Sequence, residues 1–179
     1  MLVQRGIGLL VRTWHAYSAR QTLRQLADVG KGVAIWGKIT LGGPEGVHLG
    51  DNVHIGANAH IRGDGGLWIG DNTHISRNVV IYTANHDHRG ARLPYDEGQV
   101  HRPVRIGRNV WIGMNVCIAP GSVIGDGAIV GMGTVVHGEV PPLAIVGAPD
   151  WQVIGRRDED HYHRLDAEGS YGGISGGPL

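Results

Sequence analysis

From residue 47 to residue 147 an aliphatic side chain returns at a near-constant interval. It stands at Leu49, Ile55, Ile61, Ile69, Ile75, Ile81, Ile106, Ile112, Ile118, Ile124, Val130 and Val136. Two positions before most of these lies a small or β-branched residue: Val47, Val53, Ala59, Thr73, Val79, Val104, Val110, Val116, Ser122, Ala128 and Thr134. Glycine often follows the aliphatic, at Gly50, Gly56, Gly70, Gly107, Gly113, Gly125 and Gly131. A period of six fits neither the 3.6 of a helix nor the 2 of a simple strand. It predicts a parallel β-helix, in which each short strand is followed by a corner. Gly and Asn suit the positive φ that such corners need. Three hexads close one triangular coil, so residues about 18 positions apart should stack, with ~4.8 Å between coils.

Two interruptions break the period. From Ile61 to Ile69 the step is eight, so two extra residues bulge within Arg62–Gly66. After Ile81 the pattern stops and resumes at Val104. The stretch from Tyr82 to Pro103 is therefore a loop ejected from the coil, the kind of segment that carries function on a regular scaffold. Stacking also assigns outward neighbours. His54, His74, Trp111 and Ile129 form one column, and His60, Val80, Cys117 and Val135 another. Arg62, Tyr82, Ala119 and His137 share a corner.

Composition fits this picture. The chain has 179 residues, 31 of them Gly and none Phe, as glycine-rich corners and aliphatic ladders require. Length points to one domain. A formal net charge of zero argues against nucleic acid as a partner, which needs a clustered basic field. The lone Cys117 excludes an internal disulfide framework and makes the cytoplasm the default compartment. No run reaches the ~18 apolar residues of a membrane span. Residues 1–32 differ: Ile7, Leu10, Trp14 and Tyr17 fall at helical spacing, with Arg5, Arg12, Arg20 and Arg24 mostly off that stripe. This reads as a helical cap over the open end of the β-helix. A second reading lays residues 1–30 on a membrane surface as a basic amphipathic helix, a peripheral membrane contact. The β-helix is expected over 33–157, with residues 82–103 as the ejected loop. The tail 158–179 is expected to be partly disordered, above all the Gly/Ser-rich stretch Gly169–Leu179.

The loop opens with Tyr82-Thr83-Ala84-Asn85-His86-Asp87-His88, and Asn109-Val110-Trp111-Ile112-Gly113 follows it. Further on stand the run from Pro120 to Val136, then Val140-Pro141-Pro142 and Val146-Gly147-Ala148-Pro149. Over roughly residues 45–157 this resembles the hexapeptide-repeat acetyltransferases, nearest the maltose and galactoside O-acetyltransferases and their exopolysaccharide-modifying relatives. The resemblance implies an all-β, left-handed parallel β-helix and a homotrimer binding acetyl-CoA between subunits. It implies an O-acetyltransferase acting on a sugar or glycan hydroxyl, and it makes His86 the general base. Histidine suits that task because its ordinary pKa, ~6.5, lies near neutrality.

The family tryptophan corresponds to Trp111, read either as part of the acceptor and CoA site or as a ring covering a neighbouring face. Asn85, Arg62 and Tyr82 are expected near His86 as substrate-binding residues, although Arg62 with Asp64 reads equally well as a structural ion pair. CoA contacts fall on Gly113, Met114, Gly131 and Met132, with Arg156 and Arg157 meeting its phosphates or simply solvated. Here the chain departs from its relatives. Met114 and Met132 stand where small residues are common, His137-Gly138 where Thr-Lys is, and Asp150-Trp151 within Pro-Ala-Lys. Cys117 sits on an ordinary hexad and is not read as a nucleophile.

Three rivals share the repeat. An N-acetyltransferase of an amino sugar differs only in the acceptor. A γ-carbonic-anhydrase-like zinc enzyme is faintly suggested by Arg62-Gly63-Asp64 and by the stacked pair His54 and His74, but no histidine stands five after His86. No metal is therefore expected. A non-catalytic scaffold would lack the His86 loop.

Overall fold

A computed structural model describes residues 18–148 and 158–168. Residues 18–148 hold nineteen short strands, β1 to β19, between Asp28 and Val146. Seventeen of them build three parallel sheets that the chain visits in turn, coil after coil, and the other two form a hairpin. The first sheet runs from β1 (Asp28–Val29) through β4 (Val47–Leu49), β7 (Leu67–Ile69), β12 (Val104–Ile106) and β15 (Val123–Ile124) to β18 (Glu139–Val140). The second contains β2 (Ala34–Ile35), β5 (His54–Ile55), β8 (His74–Ile75), β13 (Trp111–Ile112), β16 (Ile129–Val130) and β19 (Ile145–Val146). The third contains β3 (Thr40–Gly42), β6 (His60–Arg62), β9 (Val80–Tyr82), β14 (Cys117–Ile118) and β17 (Val135–Val136). The result is the expected parallel β-helix.

All twelve aliphatics of the repeat point inward and are buried, and so are the small residues two positions before them. Each fully buried Ile or Val contributes roughly 1.5–3 kcal/mol. The buried hydroxyls are satisfied by backbone: Thr73 Oγ1 donates to the Gly107 carbonyl at 2.8 Å, and Ser122 Oγ to that of Ala119 at 2.7 Å. Both expected outward columns form, with His54 opposite His74, Trp111 opposite His74 and Ile129, and Cys117 opposite Val80 and Val135.

The corner chemistry differs from its sequence reading. The glycines that follow the aliphatics do not supply positive φ. Asparagines two positions later do, at Asn52, Asn58, Asn72, Asn78, Asn109 and Asn115, with φ between 54° and 60°. Their amides also bond from coil to coil, Asn58 to Asn78 at 3.3 Å and Asn78 to Asn115 at 3.1 Å. A glycine such as Gly50 is needed for a different reason. A Cβ there would lie 2.8 Å from the Asp71 backbone nitrogen of the next coil.

The stacking interval is not uniformly 18. It is 20 from His54 to His74, 37 from His74 to Trp111, 18 from Trp111 to Ile129 and 16 from Ile129 to Ile145. One corner absorbs every change: the one leading from the third sheet back to the first. Counted between registered core positions, it spans 42–46, 62–66, 82–103, 119–121 and 137 in successive coils. The other two corners keep four residues in every coil, and the backbone N–H of the left-handed residue bonds in line to the coil before, as Asn72 does to the Asp51 carbonyl and Gly127 to that of Arg108, both at 2.8 Å.

The first strand begins at Asp28, inside the stretch read as a cap. The described part of that cap is helical at 18–23, and Ala19, Leu23 and Leu26 pack against the core. The stripe Ile7, Leu10, Trp14 and Tyr17 lies outside the described residues, as do Arg156, Arg157 and Gly169–Leu179. No described helix is long and apolar enough to cross a membrane. The described part of the tail read as partly disordered is a helix, α1 (Glu159–Ala167), in a separate unit of the chain. Asp158 caps it by accepting the His161 N–H at 2.7 Å, and Glu159 and Asp160 suit its first turn. No apolar period announces this helix. Its signal is the cap and the acidic first turn.

Candidate functional site

The longest visit to the variable corner is a β-hairpin. Strand β10 (Ala84–His86) pairs antiparallel with β11 (Gln99–His101), with Ala84 opposite His101 and His86 opposite Gln99. Its root is pinned to the coil by Thr83, which is fully buried. Thr83 Oγ1 donates to the Arg62 carbonyl at 2.7 Å and accepts the Gly65 N–H at 2.8 Å. The Thr83 carbonyl accepts the Arg102 N–H at 2.8 Å, closing the base of the hairpin. The sequence motif included Thr83, but its role as a rivet shows only in three dimensions.

His86 ends β10 and is exposed. Its ring stacks on Tyr95, which returns from the far side of the loop, with centroids 3.8 Å apart and planes 12° from parallel. The stack covers one face of the imidazole and leaves its edge open. Neither ring nitrogen has a hydrogen-bond partner among the described residues. The loop beyond is organised by Asp96, which accepts the Ala91 N–H at 2.7 Å and the Gly98 N–H at 2.8 Å. Those two backbone donors hold its carboxyl below the usual carboxylate range. Arg92 pairs with Glu97 on the outer rim.

His86 lines a cavity of about 270 Å³ together with Asn85, Asp87, His88, Arg89, Val100, Arg102, Ala119 and Pro120. Of the substrate-binding residues read from the sequence, only Asn85 is here. Arg62 is engaged elsewhere: Nε donates to Asp64 at 2.9 Å and Nη2 donates to Gln99 at 2.9 Å. Because Gln99 stands opposite His86, Arg62 ties the coil to the strand facing the histidine. Arg62 and Asp64 form an ion pair. Tyr82 turns to His60, stacking at 5.6 Å with its hydroxyl 3.2 Å from Nε2.

Trp111 lies on the second sheet, away from the hairpin corner. It lines a separate cavity of about 340 Å³ with Trp36, His54, His74 and Arg77. The His54 and His74 rings stack there at 4.2 Å. Among the described residues no group of three or more His, Cys, Asp or Glu is arranged to hold a metal ion. The cavities of His86 and Trp111 share no residue, so one chain does not bring these two side chains together.

Gly113-Met114 and Gly131-Met132 stack on one another at the corner that follows β13 and β16. Gly113 is accounted for by packing, since a Cβ there would lie 2.7 Å from the Met132 nitrogen. Met114 and Met132 leave their thioether chains exposed on successive coils. The sequence reading missed Tyr95, Gln99 and Arg102. They sit on the far arm of the loop, where no period assigns neighbours.

Two family models match the chain: the bacterial transferase hexapeptide (six repeats) over residues 103–138 and the hexapeptide repeat of succinyl-transferase over 46–83. No curated protein matches it significantly. Among solved structures it is similar to a maltose O-acetyltransferase from Clostridium difficile 630, at 30% identity over 84% of this chain and 88% of that one, with a TM-score of 0.65. A galactoside acetyltransferase in complex with coenzyme A is 29% identical over 71% of this chain and 63% of its own, with a TM-score of 0.65. A hexapeptide-repeat acetyltransferase from Vibrio cholerae O1 biovar eltor, complexed with acetyl coenzyme A, is 27% identical over 71% and 69%, with a TM-score of 0.66. The repeat, the hairpin that interrupts it and these likenesses agree: the chain belongs to the hexapeptide-repeat acetyltransferase family.

Proposed function

We propose that the protein transfers the acetyl group of acetyl-CoA to a hydroxyl of a sugar or glycan, with His86 as general base. The observation that carries this reading is the placement of His86. It stands on a hairpin riveted to the coil, its ring clamped by Tyr95 and its edge open to a cavity. A hydroxyl is a poor nucleophile at neutral pH. His86 takes its proton as the oxygen attacks the thioester carbonyl carbon. The tetrahedral intermediate then collapses, the C–S bond breaks, and the imidazolium returns the proton to the CoA sulfur. Backbone N–H groups are the natural partners of the oxyanion. Support for acetyl-CoA comes from the solved relatives with acetyl coenzyme A or coenzyme A bound. Support for a sugar comes from those named for maltose and galactoside.

The separation of His86 from Trp111 supports a shared site between copies. In this reading the protein is a homotrimer, and the hairpin of one subunit meets the Trp111 face and the exposed Met114 and Met132 of the next. Pantetheine lies along those apolar side chains. Arg156 and Arg157, outside the described residues, stay the sequence's candidates for the CoA phosphates.

One experiment tests base and assembly together. His86→Ala is expected to lower kcat by roughly 10²- to 10⁴-fold, whereas His88→Ala does not. Trp111→Ala is also expected to lose activity. Co-expressing the two inactive variants in one cell regains part of it, because mixed trimers contain sites with both side chains intact. Equal inactivity of mixed and separate variants sinks the shared site. An active His86→Ala variant sinks the base. A panel that includes amino sugars decides between oxygen and nitrogen acceptors.

A further inference from the structure

The His86 cavity has a charge its own residues do not balance. Its lining residues include one acidic residue, Asp87, and two arginines, Arg89 and Arg102. Asp87 belongs to Arg89: Oδ1 accepts the Arg89 N–H at 2.9 Å and lies 3.8 Å from its Nε. Arg102 is different. Its backbone is held on both sides, the N–H donating to the Thr83 carbonyl at 2.8 Å and the carbonyl accepting the Gly121 N–H at 3.3 Å. Its aliphatic stem lies against Gly121. Its guanidinium has no hydrogen-bond or ion-pair partner among the described residues. The other arginines of the hairpin and its root do have partners: Arg62 has Asp64 and Gln99, Arg89 has Asp87, and Arg92 has Glu97.

An unpaired guanidinium on a fixed backbone, belonging to a residue that lines the same cavity as the general base, is suited to receive an anion. Guanidinium binds carboxylate or phosphate through two parallel hydrogen bonds, which fixes orientation as well as charge. We infer that the acceptor is an anionic saccharide, and that Arg102 holds its carboxylate or phosphate while His86 deprotonates a nearby hydroxyl of the same molecule. This rests on the acetyl-transfer reading above and names its substrate class. Arg102 thus sets specificity.

The test compares three acceptors on the full-length protein with acetyl-CoA: methyl glucoside, methyl glucuronide and glucose 1-phosphate. The wild type is expected to favour at least one anionic acceptor over the neutral one by about 10- to 100-fold in kcat/KM, the range of a hydrogen-bonded charge pair. Which anion wins identifies carboxylate or phosphate. Arg102→Gln brings the ratio to about one, and Arg102→Lys keeps an intermediate ratio because it retains the charge without the fork. Each ratio is internal to one variant, so loss of folded protein cancels. A wild type that treats neutral and anionic acceptors alike overturns the proposal and leaves acetyl transfer standing. So does an Arg102→Gln variant that keeps its preference. If Arg102→Gln instead raises the KM for acetyl-CoA at an unchanged acceptor ratio, the arginine serves CoA and the proposal fails. Calorimetry without acetyl-CoA separates the two readings. Methyl glucuronide or glucose 1-phosphate bound by the wild type, lost in Arg102→Gln and not acetylated, would keep an anion site at Arg102 but overturn its assignment to the acceptor.

Discussion

The asparagine-lined corners and the hairpin corner are parts of the same coil held by opposite means. At the asparagine corners every residue has a counterpart one coil away. The left-handed residue repeats, the amides bond in line from Asn58 through Asn78 to Asn115, and the core side chains on either side are buried. An added residue there would put one coil out of step with both neighbours. The hairpin corner has no such counterpart. Its loop is tied down at the root by Thr83, Arg62 and Arg102, and beyond the root it is ordered by its own contacts, the Tyr95 stack and the Asp96 turn. The lesson is where a repeat protein can vary. Length changes collect at the one corner whose residues need not bond in line, and the side chains free to do chemistry collect there too.

The largest effect expected on this contrast comes from the core. Ile112 is fully buried in β13, at the level where the hairpin leaves the coil. Ile112→Ala removes most of its side chain and leaves a cavity, costing about 2–5 kcal/mol. Thermal denaturation should show a drop in Tm of many degrees. His86→Ala, on the exposed hairpin, should leave Tm within experimental error. Equal shifts in the two variants would mean that hairpin and coil unfold as one unit.

A smaller effect is expected at an asparagine corner. Asn78 combines φ of 60° with amide bonds to both neighbouring coils. Asn78→Ala should cost roughly 1–2 kcal/mol from the left-handed backbone, with the lost ladder in addition. Asn78→Gly relieves the backbone part and keeps the ladder loss. Denaturant titration of the three proteins separates the two contributions. If alanine and glycine destabilise equally, the ladder and not the backbone sets the corner.

The smallest effect concerns the hairpin tip and depends on pH. The Asp96 carboxyl is held below its ordinary range by the Ala91 and Gly98 N–H groups. A depressed folded-state pKa means that its contribution is present above the ordinary carboxylate range and is lost as pH falls through the folded value. Order at residues 91–98 should therefore weaken in acid while the coil stays intact. Hydrogen exchange at Ala91 and Gly98 reads this directly, and Asp96→Asn should already exchange faster at neutral pH. Protection at these amides, relative to intrinsic exchange, that stays constant across pH would detach the loop from its carboxylate.

The sequence by itself determined the coil. The interval of six, kept at Leu49, Ile55, Ile61 and onward, can bury its aliphatics only by turning a corner after each short strand, and the break after Ile81 marked where the chain leaves. Stacked neighbours such as His54 with His74 and Trp111 followed from counting, because each coil repeats the last. The glycines and asparagines were legible as corner residues but not in their separate roles. Close approach between coils depends on the distance to the next chain segment, which a single repeat does not state. Only the tertiary structure decided the hairpin's interior. A loop outside the repeat has no period to assign its contacts, so the Tyr95 stack on His86, the bond from Arg62 to Gln99 and the open guanidinium of Arg102 arose from chain closure rather than register. For the same reason His86 was legible as the residue to watch, while the cavity it faces and the distance that keeps Trp111 out of it were not. Counting fixes neighbours along a stack, but it cannot say which face of a triangle a departing loop will cover.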